Sequence, residues 1–120
     1  MPHLTLEYSN NLPPLDFKQV LSSLNQALLS SGQFEEIDIK SRAVALDDFM
    51  VGISTGERAF MHLRLSILSG RSAEIKRALS ASLLQVMQEF CAPLNAFHLQ
   101  LSVEVLEIER DSYSKHIFAR

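Results

Sequence analysis

The chain has 120 residues, 47% of them hydrophobic, and a formal net charge of −3 at pH 7. A chain of this length buries one core, about two-thirds of its unfolded surface, and its acidic balance argues against nucleic-acid binding through a basic face. Cys91 is the only cysteine, which excludes an internal disulfide and a cysteine-based zinc site. Apolar runs stay short of the roughly 20 residues a membrane helix needs, and the start lacks a basic segment leading into an apolar one. A soluble, cytoplasmic protein without a membrane partner is expected.

Pro2 follows the initiator methionine. A small side chain there is the usual condition for methionine removal, which would leave Pro2 as a secondary amine. A chain-terminal amine has a reference pKa of about 7.7–8.0, lowered by burial or by neighbouring cations. Such a group can act as a general base near neutral pH. The dipeptide equally fits a strand stiffened at its start, and with Met1 retained Pro2 is an amide without base function.

Leu4, Leu6 and Tyr8 alternate with Thr5 and Glu7, predicting a half-buried strand. Ser9 to Pro14 break it with turn residues and a proline suited to a first helical turn. Phe17, Val20, Leu21, Leu24, Ala27 and Leu28 form the stripe of an amphipathic helix, ended by Ser30-Ser31-Gly32. A second strand is expected from Ile37 to Leu46, with Lys40 and Arg42 on one face. Phe49 to Ile53 reads as a short strand or hairpin arm, and Ser54-Thr55-Gly56-Glu57 as a turn.

The pattern then repeats. Met61, Leu63, Leu65 and Ile67 alternate with His62, Arg64 and Ser66, and Leu68 to Ser72 make a turn. Ile75, Ala78, Leu79, Leu83, Val86, Met87 and Phe90 form a second helical stripe, stopped by Ala92-Pro93. Leu99, Leu101, Val103 and Val105 predict another strand, whose parity slips near Leu106 and suggests a bulge or strand end. One offset, 63 − 4 = 59, pairs Leu4 with Leu63, Leu6 with Leu65, Tyr8 with Ile67, Val20 with Leu79, Leu24 with Leu83 and Val44 with Val103. The fold expected is α+β: duplicated β-α-β units, each with a right-handed crossover, forming a four-stranded sheet with two helices on one face. Residues 1–120 make a single domain with an internal repeat, approximately 2–57 and 58–120. The other face must be polar or covered, and the apolar content of the strands favours cover by oligomerisation.

Arg71 stands just before Ser72, a predicted N-cap, at the positive end of the second helix. A cation gains nothing from the dipole there, but an anion held by both the arginine and the helix N–H groups would gain from each. A solvated turn arginine is the plainer reading. Lys40 and Arg42 make a second cationic pair, which also fits a charge-guarded sheet edge. His3, His62, His98 and His116 lack metal-ligand spacing, so no metal is expected. Glu35, Glu36, Asp38, Asp47 and Asp48 read as solvated loop acids, and Cys91 as a small packed residue.

Pro2 after the initiator, the duplicated β-α-β unit and Leu68-Ser69-Gly70-Arg71-Ser72-Ala73-Glu74-Ile75-Lys76 resemble the tautomerase superfamily. Pro2-His3, Ile39-Lys40-Ser41-Arg42, His62, Gly70-Arg71-Ser72 and His116-Ile117-Phe118-Ala119 are most similar to its 5-carboxymethyl-2-hydroxymuconate isomerase family, over nearly the whole chain. The resemblance implies a homotrimer that needs no cofactor and acts on a small carboxylated dienol in aromatic catabolism. Pro2 would be the catalytic base, and Arg71, with Lys40 or Arg42, would bind substrate carboxylates. Lys40 stands where the family pattern suggests arginine. A phenylpyruvate-type tautomerase, or a non-catalytic trimeric binding protein that retains Met1, are the alternatives.

Overall fold

A computed structural model describes residues 1–54, 56–94 and 98–120. The first unit comprises β1 (His3–Ser9), α1 (Phe17–Ser30), a 3₁₀ turn (Glu36–Asp38) and β2 (Lys40–Leu46). The second comprises β3 (Arg58–Leu68), α2 (Ala73–Cys91), β4 (His98–Ile108) and a closing 3₁₀ turn (Arg110–Ser112). The strand order is β2-β1-β3-β4. β1 and β2 are parallel, as are β3 and β4, and the units meet antiparallel between β1 and β3. Parallel neighbours need a long crossover, which α1 and α2 supply.

Local chemistry sets the helix ends. Asp16 caps α1 by accepting from Gln19 N (3.3 Å), so Pro13 and Pro14 lie ahead of the cap and outside the first helical turn expected for them. Ser72 caps α2 as expected, accepting from Ile75 N (3.2 Å). Gly32 (φ 76°) follows the end of α1 and Gly70 (φ 124°) the end of β3, positive φ values that glycine adopts without strain. Leu4, Leu6, Leu63 and Leu65 of the sheet bury against Val20, Leu24 and Leu28 of α1 and Leu79, Leu83 and Met87 of α2. Both helices therefore cover one sheet face.

Several boundaries differ from expectation. β2 begins at Lys40 because Ile37 sits in the 3₁₀ turn, 85% exposed. Phe49 to Ile53 form no strand, only an isolated bridge between Val51 and Ser54, and Thr55 of the expected turn lies outside the described residues. No bulge interrupts β4, whose register against β3 is unbroken from Arg58–His98 to Leu68–Ile108. The apparent slip is Leu106, which lies on the open face opposite the helices.

The repeat itself shifts within its second strand. The offset of 59 holds for β1 with β3 and for the two helices. Thr5 pairs with Arg42 while its counterpart Arg64 pairs with Glu104, an offset of 104 − 42 = 62. The second crossover is thus three residues longer, and Val44 faces away from the helices whereas Val103 packs towards them. The open face is also more polar than expected. His3, Thr5, Glu7, Lys40, Arg42, His62, Arg64, Ser66, Ser102 and Glu104 line it, with Arg64–Glu7 (2.7 Å) and His62–Glu104 ion pairs across the strands. Val44, Phe60 and Leu106 lie on it as well, so the face is mixed.

Leu63→Ala should cost about 2–5 kcal/mol of unfolding free energy, as large-to-small core changes do. Ser22→Ala, on the exposed side of α1, should stay within about 0.5 kcal/mol. Urea denaturation followed by circular dichroism measures both.

Candidate active site

The strand directions bring a particular set of groups to one end of the sheet. Parallel β1 and β2 both start there, and β3 and β4, running oppositely to β1, both finish there. Each crossover helix runs back against its own strands, so α1 ends and α2 begins at this same end. Pro2, Gln33, Asp38, Lys40, Arg71 and the segment after β4 are therefore neighbours in space although scattered in sequence.

Pro2 is fully buried, and its carbonyl accepts from Lys40 N (3.1 Å). The Met1 amine donates to the Asp38 carbonyl (3.2 Å), which also accepts from Lys40 Nζ (2.6 Å). Burial, then Lys40 through hydrogen bonding and charge, then Lys115, lower the pKa of this amine from 8.0 to about 6, against an opposing pull from Asp38. The Asp38 carboxylate is partly exposed, as expected of a loop acid, but it is not unpartnered. It pairs with Lys115 (2.9 Å), which holds its pKa below the ordinary value.

Arg42 extends the cationic strip along β2. Its Nη2 donates to His3 Nδ1 (3.0 Å), and His3 Nε2 lies 3.1 Å from the Tyr113 hydroxyl. Burial, then Arg42, then Lys40, the terminal amine and Lys115 lower the His3 pKa below 6.5.

Arg71 is neither a solvated turn residue nor turned over the α2 N-terminus. Its Nε donates to Gln33 Oε1 (3.0 Å), Nη2 to the Gln33 carbonyl (3.0 Å) and Nη1, at longer range, to the Leu68 carbonyl (3.5 Å). The guanidinium also lies over the Phe34 ring, 4.7 Å from its centroid. Of the five N–H donors of an arginine, these contacts engage three, which leaves two for an anion.

Of the residues singled out from the sequence, Pro2 and Lys40 are in direct contact. Arg42 joins them along the same strand, and Arg71 shares their end of the sheet with its own set of partners. His3, Asp38, Tyr113 and Lys115 were not singled out as site residues. The strand register would place His3 beside Lys40, but no periodicity announces that a tail folds back across 110 residues to meet it. Two clefts lie elsewhere. One, of about 610 Å³, runs along α1 beside Lys18, Asn25 and Ile37, and another, of about 500 Å³, lies over the open face beside Phe60 and His62.

The sequence model of the 5-carboxymethyl-2-hydroxymuconate isomerase family matches residues 2–118. A relative from Escherichia coli, 5-carboxymethyl-2-hydroxymuconate Delta-isomerase, is 28% identical over 110 residues, spanning 90% of this chain and 87% of the relative. The crystal structure of a 5-carboxymethyl-2-hydroxymuconate isomerase from Deinococcus radiodurans R1 aligns with a TM-score of 0.89 at 36% identity. That alignment covers 96% of this chain and 88% of the other. A fused 4-OT solved as a symmetric trimer shares the fold, with a TM-score of 0.62 at 19% identity, covering 88% of this chain and 85% of its own.

In protein retaining Met1, the terminal amine should titrate near 6. Replacing Lys40 by methionine removes a cation and a hydrogen bond that both disfavour the charged amine, so the midpoint should rise towards 8.0. Reductive ¹³C-methylation followed by an NMR pH titration reads the midpoint directly.

Proposed function

This chain belongs to the 5-carboxymethyl-2-hydroxymuconate isomerase family and is an isomerase of the tautomerase superfamily; within that class, we propose that it catalyses keto–enol tautomerisation of 5-carboxymethyl-2-hydroxymuconate or a similar unsaturated polycarboxylate, with Pro2 as the general base. The observation that carries this reading is the chain start itself, where burial and the neighbouring Lys40 depress the pKa of the terminal amine to about 6. Removal of Met1 moves the terminal amine to the buried Pro2. The same burial and the same cations then act on a secondary amine.

Neutral Pro2 takes the proton from the 2-hydroxyl of the dienol. The electron pair of that O–H bond becomes the new carbonyl π bond, the conjugated double bonds shift, and a carbon of the conjugated chain takes the proton back from the prolinium. The product is an isomer, so no electron acceptor is needed. Arg42 and Arg71 hold substrate carboxylates as planar forks, and together with Lys40 they stabilise the negative charge developing on the dienolate. The cations also disfavour the prolinium, which keeps the base neutral near pH 7.

In processed protein, Pro2→Ala should lower kcat/KM by about 10²–10⁴-fold, the usual contribution of a positioned acid–base group. Intact mass must first establish that Met1 is gone, and ultraviolet absorbance then follows ketonisation. The amine works unprotonated, so kcat/KM should fall as the pH drops through a midpoint below 8.0. Undiminished activity in Pro2→Ala, or a monocarboxylate turned over as well as the polycarboxylate, would overturn the assignment.

The proposal includes a homotrimer. The radius of gyration, 15.5 Å, exceeds the about 13.6 Å of a compact chain this long, and Met50, Ile117 and Phe118 are each more than 60% exposed. Sedimentation equilibrium should give three times the 13.5 kDa chain mass; a monomer at micromolar concentration would refute it.

A further inference from the structure

We propose that Tyr113 is a positioning residue for Arg42, acting through His3. The inference rests on the reading above that Arg42 holds a substrate carboxylate, and it follows from which atoms can donate and which can accept.

The Arg42 guanidinium has only donors. Its 3.0 Å contact with His3 therefore requires Nδ1 to accept. A neutral imidazole accepting at Nδ1 carries its proton on Nε2, and that N–H points at the Tyr113 hydroxyl oxygen, 3.1 Å away. The guanidinium thus selects the tautomer, and the tyrosine hydroxyl accepts the resulting Nε2–H and holds the ring in the orientation that Arg42 needs. The alternative tautomer would set an N–H against a guanidinium N–H, and a protonated imidazole would do the same while adding a like charge. The rings meet edge-on, with centroids 6.1 Å apart at 66°.

The tail is anchored well enough to serve as a reference point. At its root Arg110 Nε donates to the Ser69 carbonyl (2.6 Å), and beyond the tyrosine Lys115 pairs with Asp38 (2.9 Å). Arg42 itself is exposed. Its contact with a half-buried histidine narrows the directions its long side chain would otherwise sample, and a bidentate grip on a carboxylate depends on such orientation.

The test uses the full, processed chain and Tyr113→Phe, which keeps the ring but removes the acceptor. With the polycarboxylate dienol as substrate, KM should rise roughly three- to tenfold, the range of one hydrogen bond's net worth, while kcat changes less than about twofold. In an Arg42→Ala background the same substitution should change neither parameter. ¹⁵N NMR should find His3 in the Nε2–H form in the parent protein and in Tyr113→Phe, because Arg42 still requires Nδ1 to accept, and mixed in Arg42→Ala. An unchanged KM in Tyr113→Phe overturns the proposal. So does an equal loss in both backgrounds, since a merely structural tyrosine would act without Arg42. If the parent protein fails to turn the substrate over, the functional reading fails, and a crystal structure of Tyr113→Phe still decides whether the tyrosine orients the imidazole.

Discussion

The parallel pairing of β1 with β2, begun by the bond from Lys40 N to the Pro2 carbonyl, is the constraint on which the rest of this structure depends. Parallel strands cannot be joined by a tight turn, so α1 must return the chain to the end where β1 began. That return brings residue 40 beside residue 2 and buries the chain start beneath the α1–β2 connection. The duplicated unit repeats the manoeuvre, and its antiparallel docking delivers the β3–α2 turn, with Arg71, to the same end. A chain assembled this way cannot spread its terminal amine and these cations over different edges. The gathering follows from topology before any side chain is considered.

At this end of the sheet most cations are held by neutral acceptors. Arg64 and Lys76 face carboxylates, on Glu7 and Glu107 respectively. Lys40 and Arg71 are instead held by carbonyl oxygens, and Arg42 by a neutral ring nitrogen. A carbonyl dipole fixes a cation's position but leaves its net charge in place, whereas a carboxylate cancels it. Like charges kept close in this way repel one another and depress any amine among them. The exception, Lys115 on Asp38, secures the tail and keeps one cation from adding its full charge to the cluster. An incoming polycarboxylate would relieve the remaining repulsion, so substrate affinity and amine basicity have a common origin.

Periodicity was sufficient to place the helices and the duplicated order because each apolar stripe has one face to bury and a long run in which to show it. It was insufficient for β2. Val44 and Val103 share a residue type and a 59-residue spacing, yet three additional residues in the second crossover set them on opposite faces. A strand with apolar residues on both faces carries no parity signal to reveal such a shift. Arg71 could be located at a helix start from its neighbour Ser72, but its clasp by Gln33 and Phe34 depends on a loop 38 residues away. The tail contacts were beyond any local rule, since Tyr113 and Lys115 meet partners 110 and 77 residues distant.

Lys40, the one departure from the arginine implied by family resemblance, has a physical counterpart in its surroundings. Its Nζ donates to the Asp38 carbonyl at 2.6 Å, the same oxygen that receives the terminal amine. A point donor on a flexible stem suits one shared carbonyl, whereas a guanidinium would bring five N–H groups that each seek an acceptor in a half-buried setting. Lysine gives up the planar fork and keeps the charge beside the amine. Within the proposed mechanism, Lys40 therefore acts mainly on the proton affinity of the base, and bidentate recognition falls to Arg42 and Arg71. The two demands on the cluster, gripping an anion and keeping an amine neutral, need not be met by the same residue, and the proposed mechanism gives them to different ones.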